Sequence, residues 1–282
     1  MNETPAIVRS IHFAGNAVRF VAREKYIIEA LDAHLNYCQG EEGQTVAIYN
    51  IVAVNQAAFS VTFNDGNLYS GIKPESLLPL LMHDGLAQLN GSAVSSLVFH
   101  SAAVSDRGRG LILCGSGGSG KSSLAAWLTA SGFQYLTDEV IAIPLGDGDI
   151  RGFCRSLILK HGSEFIWRRW LLNEQTHGFL RFPDGSTWIA PTLFNPNAVC
   201  QSAIPYLVLF PKYVPDSPLN VQRLTQADTL FRLMQCLVNA RNFPDGGLPA
   251  TARLAKQVQA YSLTYSNIES AVEWIKQIIR TR

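Results

Sequence analysis

The chain has 282 residues, 47% of them hydrophobic and 16% charged, with a formal net charge of +1. That balance excludes a disordered chain, and no basic stripe or charge run offers a surface to nucleic acid or to an anionic membrane. No apolar run reaches the roughly 18 residues of a membrane span, and the 5 cysteines are odd in number and lack metal spacing, which points to a reducing cytoplasm rather than a disulfide framework or zinc site.

Residues 1–92 read as a small α+β accessory domain. Ile7–Ile11 and Ala17–Val21 are short extended segments, and Lys25–Tyr37 has helical spacing through Ile27, Ile28, Leu31 and Leu35. Gln44–Val54 and Ala58–Phe63 read as strands, Asn64-Asp-Gly-Asn67 is a hairpin turn, and Pro74–Leu89 is a helix with proline at its start. No residue here carries recognisable chemistry.

Residues 93–282 form the second expected domain. Ser96–Val104 and Leu111–Cys114 are strands joined by the turn Ser105-Asp-Arg-Gly-Arg-Gly110. A helix runs to about Ser131, Phe133–Leu136 is extended, and Val140–Ile143 continues after Thr137-Asp138-Glu139. Leu157–Lys160, Thr187–Ala190 and Ile204–Phe210 are further strands. Beyond them the chain reads as mostly helical, with capping-box starts at Thr225-x-x-Asp228 and Ser266-x-x-Glu269. The aromatics of Ser163–Leu172 (Phe165, Trp167, Trp170) read as helix packing before substrate contact.

The chemistry centres on Gly115, Ser116, Gly117, Gly118, Ser119, Gly120, Lys121 and Ser122, which match the phosphate-loop pattern G-x-x-x-x-G-K-[ST] between an apolar strand and the helix opened by Ser123. Glycines let backbone N–H groups turn toward phosphate oxygens, and the helix N-terminus favours negative charge there. The pattern predicts that Lys121 reaches the β/γ-phosphates of ATP and that the Ser122 hydroxyl ligates Mg²⁺.

Counting back from the hairpin tip sets His100 opposite Gly115, where its imidazole either steadies a carboxylate or phosphoryl group or packs in the core. A right-handed crossover is expected to return the strand before Asp138 to the side of the loop strand, with its end at the nucleotide crevice. An acid there accepts a proton or holds Mg²⁺, and two adjacent acids on an extended segment are expected to point to opposite sides. Arg155 and Lys160 are weaker candidates for added positive charge.

In this order and spacing, His100, the Gly115–Ser122 loop and Asp138-Glu139 resemble HPr kinase/phosphorylase, and more closely the shorter HPr-kinase-related proteins, some linked to peptide modification. The pattern runs from about Leu97 to Ile143, and Ser156-Leu-Ile-Leu-Lys-His-Gly-Ser163 adds a less specific likeness. The resemblance implies an α/β phosphate-loop kinase core like that of phosphoenolpyruvate carboxykinase, preceded by the small α+β domain and closed by C-terminal helices. It implies ATP and Mg²⁺ as cofactors and, as acceptor, a serine-type hydroxyl of a protein or peptide. Asp138 would be the catalytic base with His100 its neighbour, Lys121 would act on the phosphates, and Glu139 with Ser122 would hold the metal. The related kinases often assemble into homo-oligomers. The chain departs from them in lacking a further metal-binding Glu near Arg151–Lys160 and a visible phosphorylase segment. A small-molecule alcohol kinase and a nucleotide hydrolase that drives a partner protein are the rival readings. Asp138 follows Lys121 after room for only one helix and a return strand, which favours a kinase over the hydrolase.

Overall fold

The computed structural model describes residues 5–38, 43–55, 58–146, 148–171 and 178–281. They form a mixed α/β chain that divides into two compact units, Met1–Ala93 and Val94–Arg282.

The first unit contains β1 (Ile7–Phe13), β2 (Asn16–Ala22), α1 (Lys25–Leu35), β3 (Gln44–Asn55), β4 (Ala58–Phe63), β5 (Gly66–Ile72) and α2 (Pro74–Gly91). The strands form one sheet in chain order, parallel only between β2 and β3. Along β3, Ala47, Tyr49 and Ile51 are buried while Ile48 and Val52 are exposed, the period-two pattern of a sheet covered on one face. Helices α1 and α2 pack on this sheet, and the Tyr49 hydroxyl donates to Asp84 of α2. The turn at Asn64-Asp65 adopts φ 44° and 67°, as its sequence predicts. Strand β5 has no counterpart in the sequence reading, because Gly66, Ser70 and Gly71 interrupt its apolar alternation.

The second unit opens on a long hairpin, β6 (Ser96–Asp106) and β7 (Arg109–Cys114), whose tip Arg107-Gly108 has φ 53° and 81°. These positive values suit the right-handed twist of the two arms. Pairing runs from Asp106↔Arg109 through Ser105↔Gly110 to Ser101↔Cys114, so the expected register holds and His100 comes next beyond the end of β7. There follow α3 (Lys121–Ala130), β8 (Gln134–Thr137), β9 (Val140–Pro144), β10 (Arg151–Gly152), β11 (Leu157–Leu159), α4 (Glu164–Arg168), β12 (Phe179–Arg181) and β13 (Thr187–Ile189). The chain closes with β14 (Ile204–Tyr213), β15 (Asn220–Arg223), α5 (Gln226–Cys236), α6 (Leu248–Gln257), β16 (Gln259–Tyr265) and α7 (Ile268–Arg280). The main sheet runs β10-β9-β6-β7-β14-β16-β15, with β8 also on β6, and a small sheet runs β11-β13-β12.

Strand β8 does not return beside β7; it pairs antiparallel with β6. The tight hairpin gives one edge of β7 to β6, and β14 takes the other in parallel. The free edge of β6 therefore receives the chain leaving α3. There β8 covers Ala103–Ser105 and β9 covers Ser96–His100, as one interrupted strand broken only at Asp138-Glu139. Such a break re-aims side chains without ending the pairing.

The C-terminal region is less helical than its sequence suggests. Strand β16 is internal to the sheet, parallel to β14, although Gln259, Ser262 and Thr264 mask its alternation. Helix α5 starts as expected, with Thr225 Oγ1 accepting from the Asp228 N–H at 3.1 Å, and α7 buries Val272, Ile275 and Ile279. The cap of α7 is Asn267 rather than Ser266: Asn267 Oδ1 accepts from the Ser270 N–H at 2.8 Å, while Ser266 donates to the Ser217 carbonyl. No helix among the described residues is long and apolar enough to cross a membrane.

Where β7 stops, a buried side chain completes β6. Asn239 Oδ1 accepts from the Val98 N–H at 2.9 Å, and Nδ2 donates to the Ser96 carbonyl at 2.9 Å. Asn239→Ala leaves both groups unpaired in a buried place and should cost about 1–3 kcal/mol. Urea unfolding measures this, and an unchanged midpoint would refute the bridging role.

Candidate active site

The loop from Gly115 to Gly120 connects the end of β7 to the start of α3, and its shape depends on glycine. Gly120 has φ 96° as the N-cap of α3, and a Cβ there would run into the Tyr265 hydroxyl. Gly118, at φ 78°, also occupies the left-handed region. The Tyr213 N–H donates to the Ser119 carbonyl at 3.2 Å, tying the loop to the end of β14. Ser119 Oγ is buried without a hydrogen-bond partner.

Lys121 is buried and folds over this loop. Its Nζ donates to the Gly115 carbonyl at 2.7 Å and the Ser116 carbonyl at 3.1 Å. Burial holds the ammonium below its ordinary pKa. An amine kept dry over its own loop carbonyls is a ready partner for phosphate oxygens. Ser122 and Ser123 are half-buried in the first turn of α3.

The loop forms one wall of a cavity of about 690 Å³, a size suited to a nucleotide with part of a second substrate. Gly117, Gly118, Gly120, Lys121, Ser122 and Ser123 line it together with His100, Asp138 and Glu139. Gly115, Ser116 and Ser119 do not line it; the carbonyls of the first two hold Lys121.

The acidic pair differs from expectation. Asp138 and Glu139 occupy a bend rather than extended backbone, so they need not point apart, and both reach one guanidinium. Arg155 Nη2 lies 2.7 Å from Glu139 Oε2 and 3.3 Å from Asp138 Oδ1. Asp138, with 1% of its side chain exposed, also accepts from the Tyr135 hydroxyl at 3.0 Å and from the Ile158 N–H at 2.9 Å. Burial raises its carboxyl above the usual range, against the pull of Arg155. Glu139 is 34% exposed, and its Oε1 lies 3.7 Å from His100 Nδ1. The imidazole thus faces the second acid, whereas the resemblance implied the first. Register explains the meeting: His100 pairs with Val140, and the Ser101 N–H donates to the Glu139 carbonyl.

Arg155 is buried rather than a flanking surface charge, whereas Lys160 is exposed and lines the cavity. Trp167 is buried and Trp170 packs edge-on against Trp127 at 4.6 Å, as helix packing predicts. Phe165 packs on Trp127 and also lines the cavity, while Leu172 lies outside the described residues. The sequence reading missed Tyr135, Ile158, Tyr213 and Tyr265. Tyr135 and Ile158 act through Asp138, while Tyr213 and Tyr265 reach the loop from β14 and β16, far along the chain.

Among the described residues no three His, Cys, Asp or Glu side chains gather as a metal site. Ser122 and Glu139 nonetheless share the cavity, and Mg²⁺ brought in on phosphates needs only one or two protein ligands, the rest being phosphate oxygens and water. The residues fit a metal that arrives with a nucleotide.

No protein-family model matches this chain, and no curated protein matches its sequence. Among solved structures, the chain is similar to the Hpr(Ser) kinase/phosphatase from Coxiella burnetii, at 13% identity over 65% of this chain and 93% of that one, with a TM-score of 0.33. A score that low does not establish a common fold.

Proposed function

We propose that the chain is an ATP- and Mg²⁺-dependent kinase that transfers the γ-phosphoryl group to a hydroxyl, serine foremost, of a protein or peptide. The observation that carries this reading is the shared cavity, with Lys121 over a glycine-shaped loop on one wall and His100, Asp138 and Glu139 on the same space. Phosphoryl transfer requires positioning and positive charge more than covalent help. Lys121 and the first N–H groups of α3 hold the phosphates. Ser122 and Glu139 hold Mg²⁺, which neutralises charge on the phosphate oxygens when bound. Asp138 takes the proton of the acceptor hydroxyl as its oxygen bonds to phosphorus and ADP leaves. A carboxylate with its pKa raised by burial is the better proton acceptor.

A second assignment within the same site is favoured by Glu139, the more exposed acid and the one facing His100. Here Glu139 is the base and Asp138, held by three donors, is framework.

Two variants separate these assignments. Incubation with labelled Mg·ATP and a pool of serine-containing peptides is followed by mass spectrometry. Asp138→Asn should keep ATP binding and lose transfer by about 10²-fold or more. Glu139→Gln should raise the Mg²⁺ concentration that transfer requires, with partial transfer retained at saturating Mg²⁺. The opposite pattern, full transfer in Asp138→Asn and none in Glu139→Gln at saturating Mg²⁺, would make Glu139 the base. His100→Ala should lower turnover more than ATP affinity, and unchanged turnover would return His100 to packing.

A further inference from the structure

Tyr213, Tyr265, Ser266 and Ile268 line the same cavity and take no part in the transfer. Tyr213 ends β14 and Tyr265 ends β16. Strand β14 runs parallel to both β16 and β7, so the two tyrosines stand at the end of the sheet where β7 releases the phosphate loop. Ligands of open α/β sheets bind outside these carboxyl ends of the strands.

Sheet order gives the cavity a direction. Strand β7 lies between β6 on one side and β14, then β16, on the other. His100 belongs to β6, and Asp138-Glu139 lies along the far edge of β6, between β8 and β9. The acids and the tyrosines therefore flank the loop from opposite sides. Transfer sets the γ-phosphate beside the acids, so the rest of the nucleotide runs across the loop toward Tyr213.

We propose that Tyr213 is the platform on which the base of the bound nucleotide stacks, with Tyr265 as its support; this inference rests on Gly115–Ser122 holding a nucleotide. Tyr213 is 51% exposed although it ends an internal strand, so its ring is not spent on core packing. Its backbone is fixed on both sides. The Tyr213 N–H donates to the Ser119 carbonyl at 3.2 Å, and the Val214 N–H donates to the Tyr265 carbonyl at 2.9 Å. Tyr265 is buried and meets the Tyr213 ring edge-on, with centroids 5.9 Å apart and planes at 75°. A ring steadied in this way has little freedom left to lose when a base stacks on it. The Tyr265 hydroxyl also closes on Gly120, so the phosphate cradle and the base platform share one wall. Stacking needs a π-face and no charged partner. None of the four residues carries a charge, in contrast to the acids and Lys121 across the loop.

The test is calorimetric titration of the full chain with Mg·ATP and with inorganic tripolyphosphate, which carries the phosphates without the base. Tyr213→Ala should weaken ATP binding by about tenfold or more and leave tripolyphosphate affinity within about twofold of the wild type. Tyr213→Phe keeps the ring and should bind ATP as the wild type does. Unchanged ATP affinity in Tyr213→Ala overturns the platform. An equal loss of both ligands in Tyr213→Ala also overturns it, and makes the side chain a brace for the loop. A wild-type chain that binds neither ligand refutes the phosphate loop and this inference together. A wild-type chain that binds both, with Tyr213→Ala unaltered, refutes the base platform alone.

Discussion

Replacing Lys121 with alanine should abolish the protection that ATP gives the chain against thermal unfolding. The ammonium is buried, its pKa is lowered by desolvation, and it bridges the Gly115 and Ser116 carbonyls. Phosphate oxygens would give this cation charged partners in a site already partly emptied of water. Charge-assisted hydrogen bonds are worth about 1.5–3 kcal/mol each, so losing two weakens binding by roughly 10²-fold or more. Alanine also removes the contact that braces the loop, but the glycine-shaped backbone and its tie from Tyr213 to Ser119 remain. The variant should therefore stay folded and fail to bind. Undiminished ATP protection would overturn the assignment of Gly115–Ser122 to phosphate.

Arg155→Met should cause the largest loss of stability. Arg155 is 5% exposed and reaches both Asp138 and Glu139. Burial works against its charge, yet the two acids and Tyr135 more than offset this and hold the guanidinium charged. Removing one member of a buried ion pair strands the other, at a cost of about 3–5 kcal/mol. For a unit of this size that corresponds to roughly 6–20 °C in melting temperature. Asp138→Asn in the same chain should recover part of the loss, because the stranded charge goes with it. A drop below about 1 kcal/mol in the single variant, or no recovery in the double, would show that Arg155 does not balance the acids.

The two variants also mark where the sequence is informative. Lys121 belongs to a local pattern, and the loop, its strand and its helix lie within a short stretch of chain. His100 is legible because the tip Arg107-Gly108 fixes the register of a two-residue hairpin, and that register carries back along the arm to Ser101↔Cys114. Arg155 is not legible in the same way. Its sequence neighbours make it look like a charge beside a strand, and only the break between β8 and β9 turns both acids toward it. The destination of β8 escapes the crossover rule, which concerns parallel neighbours, whereas the unfilled edge here belongs to an antiparallel strand. Strand β16 depends on pairings that span long stretches of chain, which no local periodicity records. Gly120 shows a mixed case: the motif demands glycine, but the Tyr265 hydroxyl that forbids a side chain there comes from β16.

The fate of the γ-phosphoryl group tests the central claim most directly. The wild-type chain is incubated with Mg²⁺ and ATP labelled at the γ-phosphate, with and without a pool of serine-containing peptides, and the label is followed by mass spectrometry. Label bound to a peptide hydroxyl, absent in Lys121→Ala, is the predicted result. Label appearing only as free phosphate, at the same rate with and without peptides, would contradict the kinase and identify a nucleotide hydrolase instead.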